Sequence, residues 1–179
     1  MKILFSSTFV VLSLALNLSV CAQFSTTPTL KVGDTLPNVE LTTMENLPFQ
    51  LSADQKGQPL VIIFYRANWC PFCNEHLSDL QPYFKPLMKL GYKLIAISIE
   101  SVENLIKTKE NNFLKYTLLS DATRAAINKF GIKNGSIAVP SVFITNKDHV
   151  IKFIHTNADY KIRLSGEEIY NKAVSLKAE

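Results

Sequence analysis

The sequence predicts an α/β fold, a mixed central sheet with helices on both faces. Three observations carry this. Two stretches, "LVIIFY" at 60–65 and "LIAISI" at 94–99, are continuously apolar and β-branched, as strands buried on both faces are. Between them Cys73, Leu77, Leu80, Phe84 and Leu87 recur at steps of four and three, the spacing of one helix face. Downstream, the runs "SVFIT" and "VIKFIH" flank a short polar turn and lead into a helical tail.

The elements follow in order. "NVELTT" alternates and "LPFQLS" reads as its returning partner strand, after the turn "VGDTLP". The first apolar run, the helical repeat and the second apolar run make a parallel unit with a right-handed crossover. Pro82 and Pro86 interrupt the helix, which predicts a kink or break, and Gly91 marks its end. A second helix is predicted from Val102 to about Asn111, then a short strand in "YTLLS". "DATRAAINKFG" reads as a helix capped by Asp121 and stopped by Gly131. "NKDH" joins the last two strands as a hairpin. The closing helix begins at Ser165, with Glu168 three positions on completing a capping box.

The chain has 179 residues, which suits one domain once a targeting segment is set aside. Residues 1–22 read as an export signal: Lys2, then an apolar run, then compact side chains at "VCA". Cleavage after Ala22 is expected; the rival reading acylates Cys21 as a lipoprotein anchor, against which bulky Val20 argues. A polar leader at 23–30 and one domain at 31–177 follow. The expected setting is therefore periplasmic or extracellular, with no membrane span in the mature chain. Net charge is only +4, and Lys and acidic residues are interspersed, so nucleic acid is not an expected partner.

Export leaves Cys70 and Cys73 as the remaining thiols. A disulfide joining residues three apart removes little chain entropy, so the pair is a poor staple. Haem attachment needs His after the second Cys, where Asn74 stands. A structural zinc site needs about four ligands; His76 is near, but no fourth stands out. His155, on a predicted strand, is a candidate to face a copper-binding dithiol. The remaining reading is a reactive pair. Pro71 suits the first helical position, which makes Cys70 the cap. Its sulfur is then expected to accept from the amides of Phe72 and Cys73, with the positive helix end favouring a thiolate there. Cys73 sits one turn further in, placed to resolve a disulfide formed at Cys70. Trp69 reads as a core aromatic or as a flat platform beside the thiol. Pro140 reads as an ordinary strand-start proline, or as a cis proline that presents the Val139 backbone to substrate. Arg66 reads as a solvated residue or as a source of positive charge near Cys70.

The segment "FYRANWCPFCNEHLSDLQ", with "LIAISIE", "LLSDATRAAINKFGI" and "VPSVFITNKDHVIKFIHTNADYKIRLSGEEI", resembles the peroxiredoxin-like proteins of the thioredoxin superfamily, the alkyl hydroperoxide reductase/thiol-specific antioxidant (redoxin) family, across about residues 31–175. The resemblance implies a thioredoxin-like fold with an N-terminal β extension and a helical insertion near 101–120. It implies Cys70 as nucleophile, Cys73 as resolving thiol and Pro140 as a cis proline, with Trp69, Val139 and Pro140 at the substrate side. The sequence departs from the family pattern where a proline and a threonine or serine precede the reactive cysteine, since Ile63 and Ala67 stand there. The family's peroxide-activating arginine falls in a segment resembling "VPSVF", where Pro140 stands; Arg66 is a weak substitute. The buried acid of thioredoxins has no counterpart in "VIIFY", and Glu75 or His76 could take its role.

Three functions follow. The first is an exported thiol–disulfide oxidoreductase acting on protein or small-molecule disulfides, with an unidentified dithiol reductant. The second is a thiol peroxidase reducing hydroperoxides through a Cys70 sulfenic acid. The third is a copper-binding redox chaperone or inert binding module. The two enzyme readings call for no cofactor.

Overall fold

The structure, a computed structural model, describes residues 28–157 and 159–178. The export signal, its cleavage site, the alternative anchor at Cys21 and most of the polar leader lie outside the described residues. Among those described, no helix is long and apolar enough to cross a membrane.

A seven-stranded sheet forms the centre, with β1 (Glu40–Thr42), β2 (Pro48–Gln50), β3 (Leu60–Phe64), β4 (Lys93–Ser98), β5 (Thr117–Ser120), β8 (Ser141–Thr145) and β9 (Ile151–Thr156) in the order β2-β1-β5-β4-β3-β8-β9. β3, β4 and β5 run parallel; the outer pairings β1–β2, β1–β5, β3–β8 and β8–β9 are antiparallel. β6 (Lys133–Asn134) and β7 (Ile137–Ala138) make a separate small hairpin.

β3 shows why both apolar runs are continuous. All five of its residues are buried, Val61 and Ile63 in one core and Leu60, Ile62 and Phe64 in the other. The first core is covered by α1 (Pro71–Leu80), α2 (Phe84–Lys89), α3 (Val102–Asn111) and α5 (Gly166–Lys177), through Leu77, Leu80, Leu87, Leu105, Ile169 and Ala173. The second is closed by α4 (Ala125–Lys129) and a cluster of Phe64, Phe130 and Phe143 rings. Fully burying one such aliphatic side chain is worth roughly 1.5–3 kcal/mol, so these two layers dominate the stability.

The predicted break falls where the prolines stand: α1 ends at Leu80, Gln81–Tyr83 tighten into a 3-10 turn, and α2 restarts at Phe84. Pro86 sits in the first turn of α2, where its missing N–H has no helical partner. The Ser165–Glu168 capping box is complete. One reading changes. Asp121 is not the cap residue of α4: residues 121–124 form a turn, Arg124 takes φ 62°, and the Asp121 carboxylate reaches forward to the amides of Ala126 and Ile127 at 3.0 and 2.9 Å. Residues 101–120 carry the expected helix α3 and then β5, the short strand expected in "YTLLS", which pairs with β4 and β1.

Candidate active site

The site is built where β3 ends. The Tyr65 amide continues the ladder to Ile97, then the chain turns through 66–69 into α1. That turn is held on two sides. The buried Glu100 carboxylate accepts from the Asn68 amide at 2.7 Å and from the Ser98 hydroxyl at 3.1 Å. The Asn74 side-chain amide donates to the Asn68 carbonyl at 2.7 Å. Cys70 follows as the cap residue of α1, with Pro71 in the first turn as predicted.

The predicted capping bond is absent. The Cys70 side chain accepts no amide; its backbone carbonyl takes the amides of Cys73 and Asn74 at 3.0 and 3.2 Å. The side chain turns inward instead, and both thiols, reduced and unpaired, lie in the core, Cys70 at 1% and Cys73 at 0% exposure. Positive charge reaches them from another source. Arg163, in the segment between β9 and α5, places Nη2 3.4 Å from Cys73 Sγ and 4.0 Å from Cys70 Sγ. Its Nε donates to the Tyr160 carbonyl at 3.1 Å, which aims the fork. The backbone N–H of Arg66 adds a second donor to Cys73 Sγ at 3.4 Å.

These surroundings act on the Cys73 thiol in opposite directions. Burial pushes the Cys73 thiol up, and its hydrogen bond with Cys70 pushes it further; Arg163 and the backbone amides of Arg66 and Ala67 oppose this.

The sequence reading of "NADYKIR" finds no role for Arg163. Its nearest signal is position, a lone Arg just before a capping box; no spacing rule links it to a cysteine pair 90 residues earlier. Arg66, weighed as a charge source, instead lays its guanidinium on aromatic rings, 5.0 Å from the centre of Trp69 and 4.2 Å from that of Tyr160. Trp69 is 60% exposed, a surface platform rather than a core residue.

Val139 and Pro140 lead into β8, whose first residue pairs with Phe64 at the end of β3, so they lie beside the start of the active-site turn. No described peptide bond is cis, which corrects the cis reading of Pro140. The Val139 backbone is already engaged: its amide donates to the Ile132 carbonyl at 2.7 Å, and its carbonyl accepts from the Ser141 hydroxyl at 2.8 Å. Ile132 directly precedes β6 and Val139 directly follows β7, so this bond continues the hairpin's pairing by one residue.

A cavity of about 430 Å³ opens beside Arg163, between α1 and the start of α5. His76, one turn beyond Cys73, lines it and is buried. The Leu164 backbone faces its ring and favours the protonated form, and the Asp79 charge acts in the same direction. Burial first, and the Arg163 charge second, push the His76 imidazole down to about 4, so it is neutral near pH 7. Glu75, the other stand-in weighed for a buried acid, is exposed. Among the described residues no group of three or more His, Cys, Asp or Glu is arranged to hold a metal. His155, weighed as a copper ligand, interacts electrostatically with Glu168 and His76.

Known proteins share this arrangement of elements. The model of the AhpC/TSA family matches residues 32–154. Among curated proteins, the chain is 27% identical to peroxiredoxin Q, chloroplastic, of Sedum lineare over 128 residues, 70% of this chain and 68% of that one. It is 30% identical to peroxiredoxin Bcp of Escherichia coli over 103 residues, 58% of this chain and 65% of that one. Among solved structures, peroxidoxin BcpB of Mycobacterium tuberculosis superposes with a TM-score of 0.72 at 24% identity, over 83% of this chain and 97% of that one. PrxQ of Xylella fastidiosa superposes with a TM-score of 0.73 at 20% identity, over 84% and 98%. These two structural likenesses bear on the fold.

Proposed function

Because the chain belongs to the AhpC/TSA family, we propose that it is a thiol peroxidase in which Cys70 reduces a hydroperoxide and Cys73 resolves the product. The carrying observation is Arg163, whose guanidinium spans both sulfurs at 3.4 and 4.0 Å. It supplies the cation that the "VPSVF" segment lacks.

The steps balance without a cofactor. The Cys70 thiolate attacks the outer peroxide oxygen, the O–O bond breaks, and the leaving oxygen departs as alcohol or water after taking a proton. Arg163 stands where charge develops on sulfur and on the leaving oxygen. Cys70 is now a sulfenic acid. Cys73 attacks it, the S–O bond breaks, water leaves and a Cys70–Cys73 disulfide remains. Cys73 is suited to second place because its raised proton affinity keeps it out of the first step. Burial of both sulfurs favours a small oxidant over a protein disulfide, which would need to seat a peptide chain against a residue only 1% exposed. Electrons return from an outside thiol.

The test is direct: mix reduced protein with hydrogen peroxide and follow oxidation in stopped flow. A second-order rate far above that of a free thiol supports the proposal; a rate equal to it removes the peroxidase reading. One observation favours a second reading, thiol–disulfide exchange. Ile63 and Ala67 occupy the places of the family's proline and threonine or serine, so one hydroxyl donor to peroxide is missing. Faster turnover on a small disulfide than on peroxide would favour that reading. An exported setting is proposed from the N-terminal apolar segment alone, and fractionation of tagged full-length chain tests it.

A further inference from the structure

We propose that Tyr160 determines the size of oxidant that reaches Cys70: its ring fixes residues 159–164 across the head of α1, which admits a small hydroperoxide and resists a bulky one. The inference rests on the peroxidase reading above and names the residue that sets its substrate size.

The cover over Cys70 is not local. Trp69 and Pro71 on either side of it are exposed, and Phe72 is only half-buried, yet the Cys70 side chain is 1% exposed. What shields it comes from elsewhere in the chain. Arg163 is part of that cover, with Nη2 4.0 Å from Cys70 Sγ and 3.4 Å from Cys73 Sγ.

Tyr160 ties the same segment down on both sides of Cys70. Before the cysteine, the Arg66 guanidinium lies 4.2 Å from the centre of the Tyr160 ring. After it, the Phe72 ring meets Tyr160 edge to face, with centroids 5.8 Å apart and planes at 81°. Lys161 Nζ adds a second contact to Phe72, 5.9 Å from its ring centre. The Tyr160 carbonyl accepts from Arg163 Nε at 3.1 Å, so the residue that anchors the segment also aims the guanidinium. Between them the chain is a tight turn. The Asp159 carboxylate accepts the Lys161 amide at 2.9 Å, and the Asp159 carbonyl accepts the Ile162 amide at 3.1 Å. Ring, carbonyl and Arg163 therefore move as one piece.

The ring contacts are of a size to close such a segment and still let it open. A surface cation–π contact and an edge-to-face ring pair each shift an equilibrium by roughly 2- to 10-fold. Together they favour the closed segment by about tenfold or more. Hydrogen peroxide needs only a narrow way in beside Arg163. A hydroperoxide carrying an aryl group needs the segment open and is slowed by that factor. None of these contacts uses the Tyr160 hydroxyl. The ring is 37% exposed, so its removal leaves both cores intact.

The experiment compares second-order oxidation rates with hydrogen peroxide and with cumene hydroperoxide, read as a ratio for each variant. The ratio cancels any loss of Arg163 charge that both oxidants share. Tyr160→Ala should raise the ratio of cumene hydroperoxide to hydrogen peroxide by about tenfold. Tyr160→Phe, which keeps ring and carbonyl, should restore the wild-type ratio. Arg66→Ala removes one of the two ring contacts and should raise the ratio by less. Combined with Tyr160→Ala it should add nothing, because the two changes remove the same contact. An unchanged ratio in Tyr160→Ala overturns the proposal, and so does a ratio that Tyr160→Phe leaves raised. Where Tyr160→Ala folds too poorly to assay, an unchanged ratio in Arg66→Ala overturns it. Alkylation of Cys70 by N-ethylmaleimide and by the bulkier pyrene maleimide, read by mass spectrometry, probes the same access without peroxide. A maleimide ratio that rises in Tyr160→Ala, beside peroxide rates no better than a free thiol's, sinks the peroxidase reading and spares the size filter. A maleimide ratio that stays flat overturns the filter, however fast the peroxide reaction.

Discussion

Arg163 Nη2 lies 3.4 Å from Cys73 Sγ across 90 residues of chain, and it reaches Cys70 Sγ at 4.0 Å. One guanidinium nitrogen thus lies against both sulfurs, and in the proposed reaction it also stands near the leaving oxygen. Arg163→Ala should slow oxidation by hydrogen peroxide by about 10²-fold or more, the usual cost of removing one preorganised donor. Arg163→Lys should recover only part of the loss, because an ammonium on a flexible stem lacks the Nε bond to the Tyr160 carbonyl that fixes the guanidinium. Stopped-flow oxidation checks both, and an unchanged rate in the Ala variant would assign the guanidinium a structural role only.

The raised proton affinity of Cys73 bears on the proposed order of events. Cys70→Ser should abolish peroxide turnover. Cys73→Ser should still react once with peroxide and then stop, leaving a Cys70 sulfenic acid or its mixed disulfide with added thiol. Mass spectrometry of the two variants after one equivalent of peroxide reads this directly. A disulfide-free product carrying the modification at Cys73 in the Cys70→Ser variant, formed at the wild-type rate, would reverse the assignment.

His76 gives the fold an acid-sensitive point. Its folded value, about 4, lies below the ordinary 6.5 of an unfolded His. Between those values the unfolded chain binds a proton that the folded chain refuses. Stability is therefore intact above pH 6.5 and falls as the pH drops toward 4, by on the order of 3 kcal/mol if the whole shift is realised. Urea denaturation of His76→Phe at a series of pH values should show a flatter acid limb than wild type. Parallel limbs would mean that His76 charges elsewhere in the titration.

Gly166 marks the contact of α5 with the end of α1. A Cβ built there meets the Asp79 carbonyl oxygen at 2.5 Å and a Tyr83 ring carbon at 2.7 Å. The backbone opposite cannot yield cheaply. Gly166→Ala should cost about 1–3 kcal/mol, the range for overpacking, and should disturb the Gly166 amide bond to Asp79, on the wall of the cavity. Thermal unfolding measures the cost. An unchanged melting temperature would show that the two helices can separate without loss.

Much of this molecule was legible in local sequence because its causes are local. Continuous β-branched runs predict β3 and β4, since both faces of those strands are buried. Pro82 and Pro86 predict the break between α1 and α2 because proline lacks a donor. Ser165 and Glu168 predict a helix start that the structure completes bond for bond. The small β6–β7 hairpin has a local signal too, "NG" at 134–135, and Gly135 has the positive φ that its tight turn requires. Cys70 at the head of α1 also follows from sequence, through Pro71.

Which way that sulfur faces does not. A cap residue with a small polar side chain normally turns it toward its own helix amides, and Cys70 was expected to do so. Tertiary packing decides otherwise. The strand before it is buried on both faces, the turn is pinned by Glu100 from after β4, and the sulfur falls into the core against Cys73. Its charge partner then has to come from whatever element closes over that core, which is the Arg163 segment ahead of α5. Local chain chemistry determined the strands, the helices and the place of the cysteine pair at the head of α1. The electrostatics of that pair were decided by long-range packing, because a field acts through space and neighbours in space need not be neighbours in sequence.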